Sequence, residues 1–128
     1  MKVQESEVLE IPTIEEINDL IIDAIQDIKG LNILKIDLNK IEDSPANYFI
    51  ICEGESTVQV GAIASNINKR LRKEIAVKCY HLEGMKESRW VLLDYFDTIV
   101  HVFYPETRQF YDIEDLWSDG EFTEYKNL

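Results

Sequence analysis

The sequence predicts a small single-domain α/β fold, a mixed sheet of about five strands with two main helices. Three observations point there. Two stretches carry apolar residues at helical spacing and are bounded by capping signals. Short β-rich apolar runs lie between and after them. The last two runs are separated by about three residues, which fits an antiparallel hairpin. With 128 residues and 45% hydrophobic content, the chain holds enough apolar material for one core.

The first regular element is TIEEINDLIIDAIQDIKG. Ile14, Ile17, Leu20, Ile21, Ala24, Ile25 and Ile28 form one apolar stripe, with Glu15, Asp19, Asp23 and Gln26 pointing away. Thr13 and Glu16 fit a capping box, and Gly30 suits the left-handed residue that closes a helix. LNILKIDL then alternates Leu34, Ile36 and Leu38 against Lys35 and Asp37, as a strand half open to solvent does. The run Tyr48 to Cys52 is apolar throughout, as expected of a central strand covered on both faces.

Helical spacing returns in STVQVGAIASNINKRLRKE through Val60, Ile63, Ala64, Ile67 and Leu71. Ser56 and Gln59 make a second capping-box pattern, and Lys69, Arg70, Arg72 and Lys73 complement the dipole at the far end. AVKCYHLEG, RWVLLDY and TIVHVFYP read as strands, and YDIEDLW as a helical turn with Ile113, Leu116 and Trp117 on one side. Residues 1–12 form an N-terminal extension, 13–117 the folded domain, and 118–128 an acidic C-terminal tail with little to bury; both ends are expected to be mobile.

Thirteen Lys and Arg against 25 Asp and Glu leave a formal charge of −12. Non-specific nucleic-acid affinity comes from cationic side chains displacing counterions, so direct DNA or RNA binding is disfavoured and a basic protein is the better partner. The N-terminus is too acidic for a signal peptide and no run is long enough to span a bilayer, so a cytoplasmic protein without membrane contact is expected. Cys52 and Cys79 lie in apolar runs with no metal-binding spacing; buried free thiols are expected, and no zinc site.

Nothing assembles into catalytic machinery, and neither a cofactor nor a metal site is expected. Gly54-Glu55-Ser56 is a strand-to-helix turn that resembles a phosphate cradle, but it lacks both the dinucleotide and the P-loop pattern, and Ser56 is explained as a cap. Asp94 with Asp97, and Asp112 with Glu114, lack a supporting pocket; Asp97 suits a hairpin turn and Asp112 a helix cap. His81 and His101 have no nucleophile partner, and Tyr48, Phe49, Phe103 and Tyr104 lack an RNA-recognition signature, so core packing is the expected role of these aromatic residues.

The segment RWVLLDY is the informative exception. At strand period it places Val91 and Leu93 on one face and Trp90, Leu92 and Asp94 on the other. Two helices, each roughly 10 Å wide, blanket one face of such a sheet and not both. The second face is expected to lie partly open, with Trp90 and Leu92 in an exposed apolar patch and Asp94 beside them, a combination suited to a basic protein.

NYFIICEGEST, VQVGAIASNI, HLEG and the long block WVLLDYFDTIVHVFYPETRQFYDIEDLW together resemble the Iojap-like ribosomal silencing factors, RsfS in bacteria, over residues 14–117. The resemblance implies a nucleotidyltransferase-related α/β fold that has lost its activity. Gly54 and Ser56 look like a remnant of the glycine-serine turn, while the paired metal carboxylates are missing, only Glu83 standing near their place. It also implies binding to the large ribosomal subunit through the basic ribosomal protein fourteen, which sterically blocks subunit joining and represses translation when nutrients are limiting. The contact residues it implies are Trp90 and Asp94. Two competing readings stay open: a nucleotidyltransferase-like enzyme using Ser56, and a self-associating scaffold, a homodimer that covers the open face.

Overall fold

The computed structural model describes residues 11–128; the expectation for the extension falls, up to residue 10, outside the described residues. The elements run α1 (Ile14–Asp27), β1 (Leu31–Asp37), β2 (Tyr48–Glu53), α2 (Thr57–Ile75), β3 (His81–Glu83), β4 (Trp90–Asp94), β5 (Thr98–Phe103), α3 (Pro105–Tyr111), α4 (Ile113–Leu116) and β6 (Glu121–Tyr125). One six-stranded sheet has the order β3-β4-β5-β2-β1-β6. Only β2 and β5 pair in parallel, so the sheet is mixed as expected, with one strand more than predicted.

The apolar stripe of α1 works as its spacing requires. Ile21, Ile22, Ala24 and Ile25 are buried, and join Val60, Ile63, Ala64, Ile67 and Leu71 of α2 over Ile33, Ile50, Cys52, Val91, Leu93, Val100 and Val102 of the sheet. The Thr13–Glu16 capping box closes in both directions, at 3.0 and 2.9 Å, a cap worth about 1 kcal/mol. At the other end the left-handed residue is Lys29, with φ 62°, and not Gly30. Gly30 is needed for closeness instead: a Cβ there would run into Ile25.

The second capping box is only half made. Ser56 accepts the Gln59 N–H at 3.1 Å, but the Gln59 side-chain oxygen accepts from Glu55 N–H. The Gln59 amide donates to the carbonyls of Ile28 and Lys29 at 3.0 and 3.2 Å, so one side chain ties the start of α2 to the end of α1. Asn66 adds a buried tie, donating to Ala24 O at 2.9 Å.

A second core lies on the opposite face. Leu34, Ile36, Leu38, Phe49, Ile51 and Phe103 are buried there, with Ile41, Trp90, Ile99, Ile113 and Trp117 packed against them. The half-open reading of β1 is thereby corrected, because Ile33 serves the helix-side core while Leu34 and Ile36 serve the second. Ile113 and Trp117 point inward as predicted, but Leu116 is 73% exposed. Asp112 adopts a left-handed conformation between α3 and α4 and makes no side-chain cap.

The acidic tail is part of the sheet. Glu121 to Tyr125 pair in antiparallel register with Asp37 to Ile33, and Asn127 Oδ1 accepts the Asn32 N–H at 2.8 Å. Arg108 fastens α3 to the strand ends. Only 10% of its side chain is exposed, and it donates to Glu114 at 2.9 Å, Glu53 at 3.1 Å and Asn32 O at 2.7 Å.

Candidate partner-binding site

Strand β4 alternates as the period of two demands: Val91 and Leu93 are fully buried under the helices, while Trp90, Leu92 and Asp94 are half-buried on the other face. Register fixes their neighbours. Trp90 lies opposite Phe103, Leu92 opposite His101 and Asp94 opposite Ile99 on β5. On the outer side, Leu92 faces Glu83 and Asp94 faces His81 on β3. The second core and the turns above it cover the middle of this face, but β3 is exposed along its whole length. An apolar strip at Trp90 and Leu92 is therefore left at the sheet edge, bordered by the carboxylates of Asp94 and Glu83.

Aromatic packing holds the strip. The Trp90 ring lies 4.9 Å from Phe103 and 4.9 Å from Tyr111, both as tilted pairs. Its indole N–H donates to His101 Nδ1 at 3.1 Å. Gly84, in the turn leading from β3, takes a φ of +93° and runs so close to the Trp90 carbonyl that a Cβ would collide with it. Glu83, Gly84, Trp90 and Leu92 together line a shallow depression beside the strip. Asp94 is partly engaged within the fold, its Oδ1 accepting the Phe96 N–H at 2.8 Å.

Comparison with known proteins identifies the family in which this face is built. Residues 11–128 match the family described as RsfS, "Ribosomal silencing factor during starvation". The chain belongs to that family. A ribosomal silencing factor RsfS of Halalkalibacterium halodurans is 34% identical over 114 residues, 89% of this chain and 96% of that protein. A crystal structure of a Chromobacterium violaceum protein is similar with a TM-score of 0.77 and 40% identity, over 86% of this chain and 88% of that one. A mouse protein named "Mitochondrial assembly of ribosomal large subunit protein 1" is 31% identical over 81 residues, 59% of this chain and 34% of its own length.

In this member of the family, the turn that resembles a phosphate cradle has part of its amides engaged within the fold. Gly54 N–H donates to Phe103 O at 3.0 Å, Glu55 N–H to the Gln59 side chain, Gln59 N–H to Ser56 Oγ, and Val60 N–H to Ser56 O at 2.9 Å. Of the basic run at the end of α2, Arg70 is held by Asp23 at 2.8 Å and Glu74 at 2.7 Å. Asp97 lies in the β4–β5 turn, where its carbonyl accepts from Asn47 and Tyr48. Among the described residues no helix is long and apolar enough to cross a membrane, and no three metal-binding side chains cluster.

Both cysteines are free. Burial pushes the Cys52 thiol up to about 12, so it stays protonated near neutral pH. His101, 5% exposed, is driven the other way: burial lowers its imidazole from 6.5 to about 4 and keeps it neutral near pH 7. His81 is exposed and lies 2.6 Å from Glu83. Its place beside the strip follows from the cross-strand register, which hydrophobic spacing alone does not disclose.

Proposed function

We propose that this silencing factor docks on the large ribosomal subunit through a basic protein, ribosomal protein fourteen, and blocks joining of the small subunit by occupying the joining face. Trp90, Leu92 and Asp94 are the contact residues of this reading. The observation that carries it is the partly open edge of the second sheet face, where the half-buried Trp90 and Leu92 share a face with Asp94 and Leu92 lies opposite Glu83 of β3. An aromatic anchor of this kind supplies buried area, and the flanking acids supply register and attraction to a cationic surface. The formal charge of −12 supports a basic protein rather than RNA as the first contact. Repression by occupancy needs no chemistry, and the Gly54 and Glu55 amides of the turn that resembles a phosphate cradle are already engaged within the fold. Such a protein works where ribosomes assemble their subunits, in the cytoplasm.

Self-association through the same face is the competing occupant. Net charge works against it, because two copies bring like-charged rims together.

Co-sedimentation with isolated large ribosomal subunits tests the reading. The wild type is expected in the pellet, and Trp90→Ala to lose about 2 kcal/mol of binding while remaining folded. Asp94→Arg should lose binding as well, and both variants should fail to inhibit subunit joining. Wild-type affinity in a folded Trp90→Ala would remove this face from the mechanism. Light scattering that shows a dimer disrupted by the same substitution would favour self-association instead.

A further inference from the structure

We infer that His101 is the positioning residue of this site: its imidazole holds the Trp90 indole in the orientation that the partner meets. The inference rests on the docking reading above and deepens it.

His101 stands on β5 opposite Leu92, and thus diagonal to Trp90, within reach of a long aromatic side chain. It is sunk in the second core, edge-on to Phe49 at 4.6 Å and stacked with Phe103 at an interplanar angle of 14°. The ring nitrogen of tryptophan only donates. At 3.1 Å, His101 Nδ1 is therefore the acceptor, and the proton of the neutral ring sits on Nε2. That Nε2 is buried with no partner among the described residues.

A buried donor without an acceptor costs stability, and an aliphatic side chain between Phe49 and Phe103 would not incur the cost. The imidazole earns its place through its other nitrogen. The rings of Phe103 and Tyr111 hold Trp90 by apolar contact, which tolerates sliding and tilting, whereas the bond to His101 is directional. It is the one side-chain hydrogen bond that Trp90 makes among the described residues. An anchor fixed before the encounter loses less rotamer freedom on binding, so positioning appears as affinity and not as stability.

The test measures affinity for isolated large ribosomal subunits, and the thermal midpoint, of the full chain and of His101→Leu, His101→Asn, Trp90→Phe, Trp90→Ala and the double variant His101→Leu/Trp90→Phe. His101→Leu removes one unpartnered donor, Nε2–H, and leaves another, the half-buried Trp90 N–H, so it should unfold near the wild-type temperature yet bind about tenfold more weakly. His101→Asn places an amide oxygen where Nδ1 stood and should bind within about threefold of the wild type. Trp90→Phe lacks the N–H, so adding His101→Leu to it should change affinity no further.

Wild-type affinity in folded His101→Leu, or losses that multiply in the double variant, would overturn the positioning role while leaving the docking face intact. Should His101→Leu fail to fold, His101→Asn and Trp90→Phe still decide: unchanged binding by Trp90→Phe, or a loss by folded His101→Asn as large as that of Trp90→Phe, overturns the role. Wild-type affinity in folded Trp90→Ala is a separate result, which removes the docking reading and this inference with it.

Discussion

Asp94 accepts the backbone N–H of Phe96 at 2.8 Å and so closes the β4–β5 turn around a phenylalanine whose φ is +71°. A bulky L-residue in that region costs about 1–2 kcal/mol, and Phe96, at 64% exposed, recovers little of it by burial. Among the described residues its ring has one aromatic neighbour, Tyr80, at 4.2 Å, itself 66% exposed. Phe96→Gly should therefore raise the unfolding free energy by about 1 kcal/mol in urea denaturation. A lower value would mean that the Tyr80 contact outweighs the backbone strain.

The same bond gives Asp94 two separable roles. Asp94→Asn keeps an oxygen for the Phe96 amide and removes the charge, whereas Asp94→Ala removes both. Urea denaturation should show Asp94→Asn within about 0.5 kcal/mol of the wild type and Asp94→Ala lower by about 1 kcal/mol. Equal stability of the two would show the turn bond to be unimportant. If the charge guides docking, Asp94→Asn should slow association with large subunits most at low salt, where screening is weakest.

Arg108 and Arg70 each meet two carboxylates, yet their burial separates them. Arg108 sits with Glu53 and Glu114 at 10, 15 and 21% side-chain exposure, whereas the Asp23 and Glu74 partners of Arg70 are 64 and 47% exposed. Removing Arg108 strands two shielded carboxylates and frees the Asn32 carbonyl, so Arg108→Ala should lose about 3–5 kcal/mol. Arg70→Ala should lose no more than about 1 kcal/mol, because water screens its partners. Matched denaturation curves check the contrast, and comparable losses would sink it.

The parts of the fold legible from the sequence are those that burial writes as a pattern. The stripes of α1 and α2 and the alternation of Trp90 to Asp94 each reflect a face that must leave water. What stayed hidden is held by the backbone or by proximity. EFTEY is exposed at four of five positions, so no apolar alternation marks it; β6 owes its place to its pairing with β1. Helix α3 was signalled by Pro105 at its first position, a signal that the strand reading of TIVHVFYP absorbed. Gly30 serves close approach and not the left-handed turn, two uses of a glycine at a helix end that spacing does not tell apart. On the proposed docking face, the shared side of Trp90, Leu92 and Asp94 follows from period alone, but the bond from Trp90 to His101 joins two neighbouring strands and depends on the register.

Acid should destabilise the fold through His101. In the unfolded chain the imidazole takes a proton near pH 6.5; in the fold, burial delays this to about 4. Between those values the unfolded state binds more protons, so the stability contributed by a neutral buried His101 is present above about 6.5 and is lost as pH falls toward 4. The full difference amounts to about 3 kcal/mol. His101→Asn cannot titrate, so unfolding free energies measured from pH 7 to 4.5 should fall less steeply for it than for the wild type. Parallel curves would show that carboxylates alone set the acid sensitivity.

Truncation after Trp117 tests whether the acidic C-terminal segment is a tail or a strand. The deletion removes the five-residue pairing of β6 with β1, the Asn127 side chain that accepts from Asn32 N–H, and the Lys126 carbonyl that accepts from Gln26 at 3.0 Å. It also uncovers Leu34 and Ile36 at what becomes a bare sheet edge. The truncated chain should lose about 2 kcal/mol or more of stability and associate at concentrations where the full chain does not, since the new edge presents unpaired amides and carbonyls and the lost residues carry net negative charge. Large-subunit binding by the fraction that stays folded should persist, because β3 and β4 lie at the opposite side of the sheet. An unchanged melting temperature would return these residues to the status of a solvated tail.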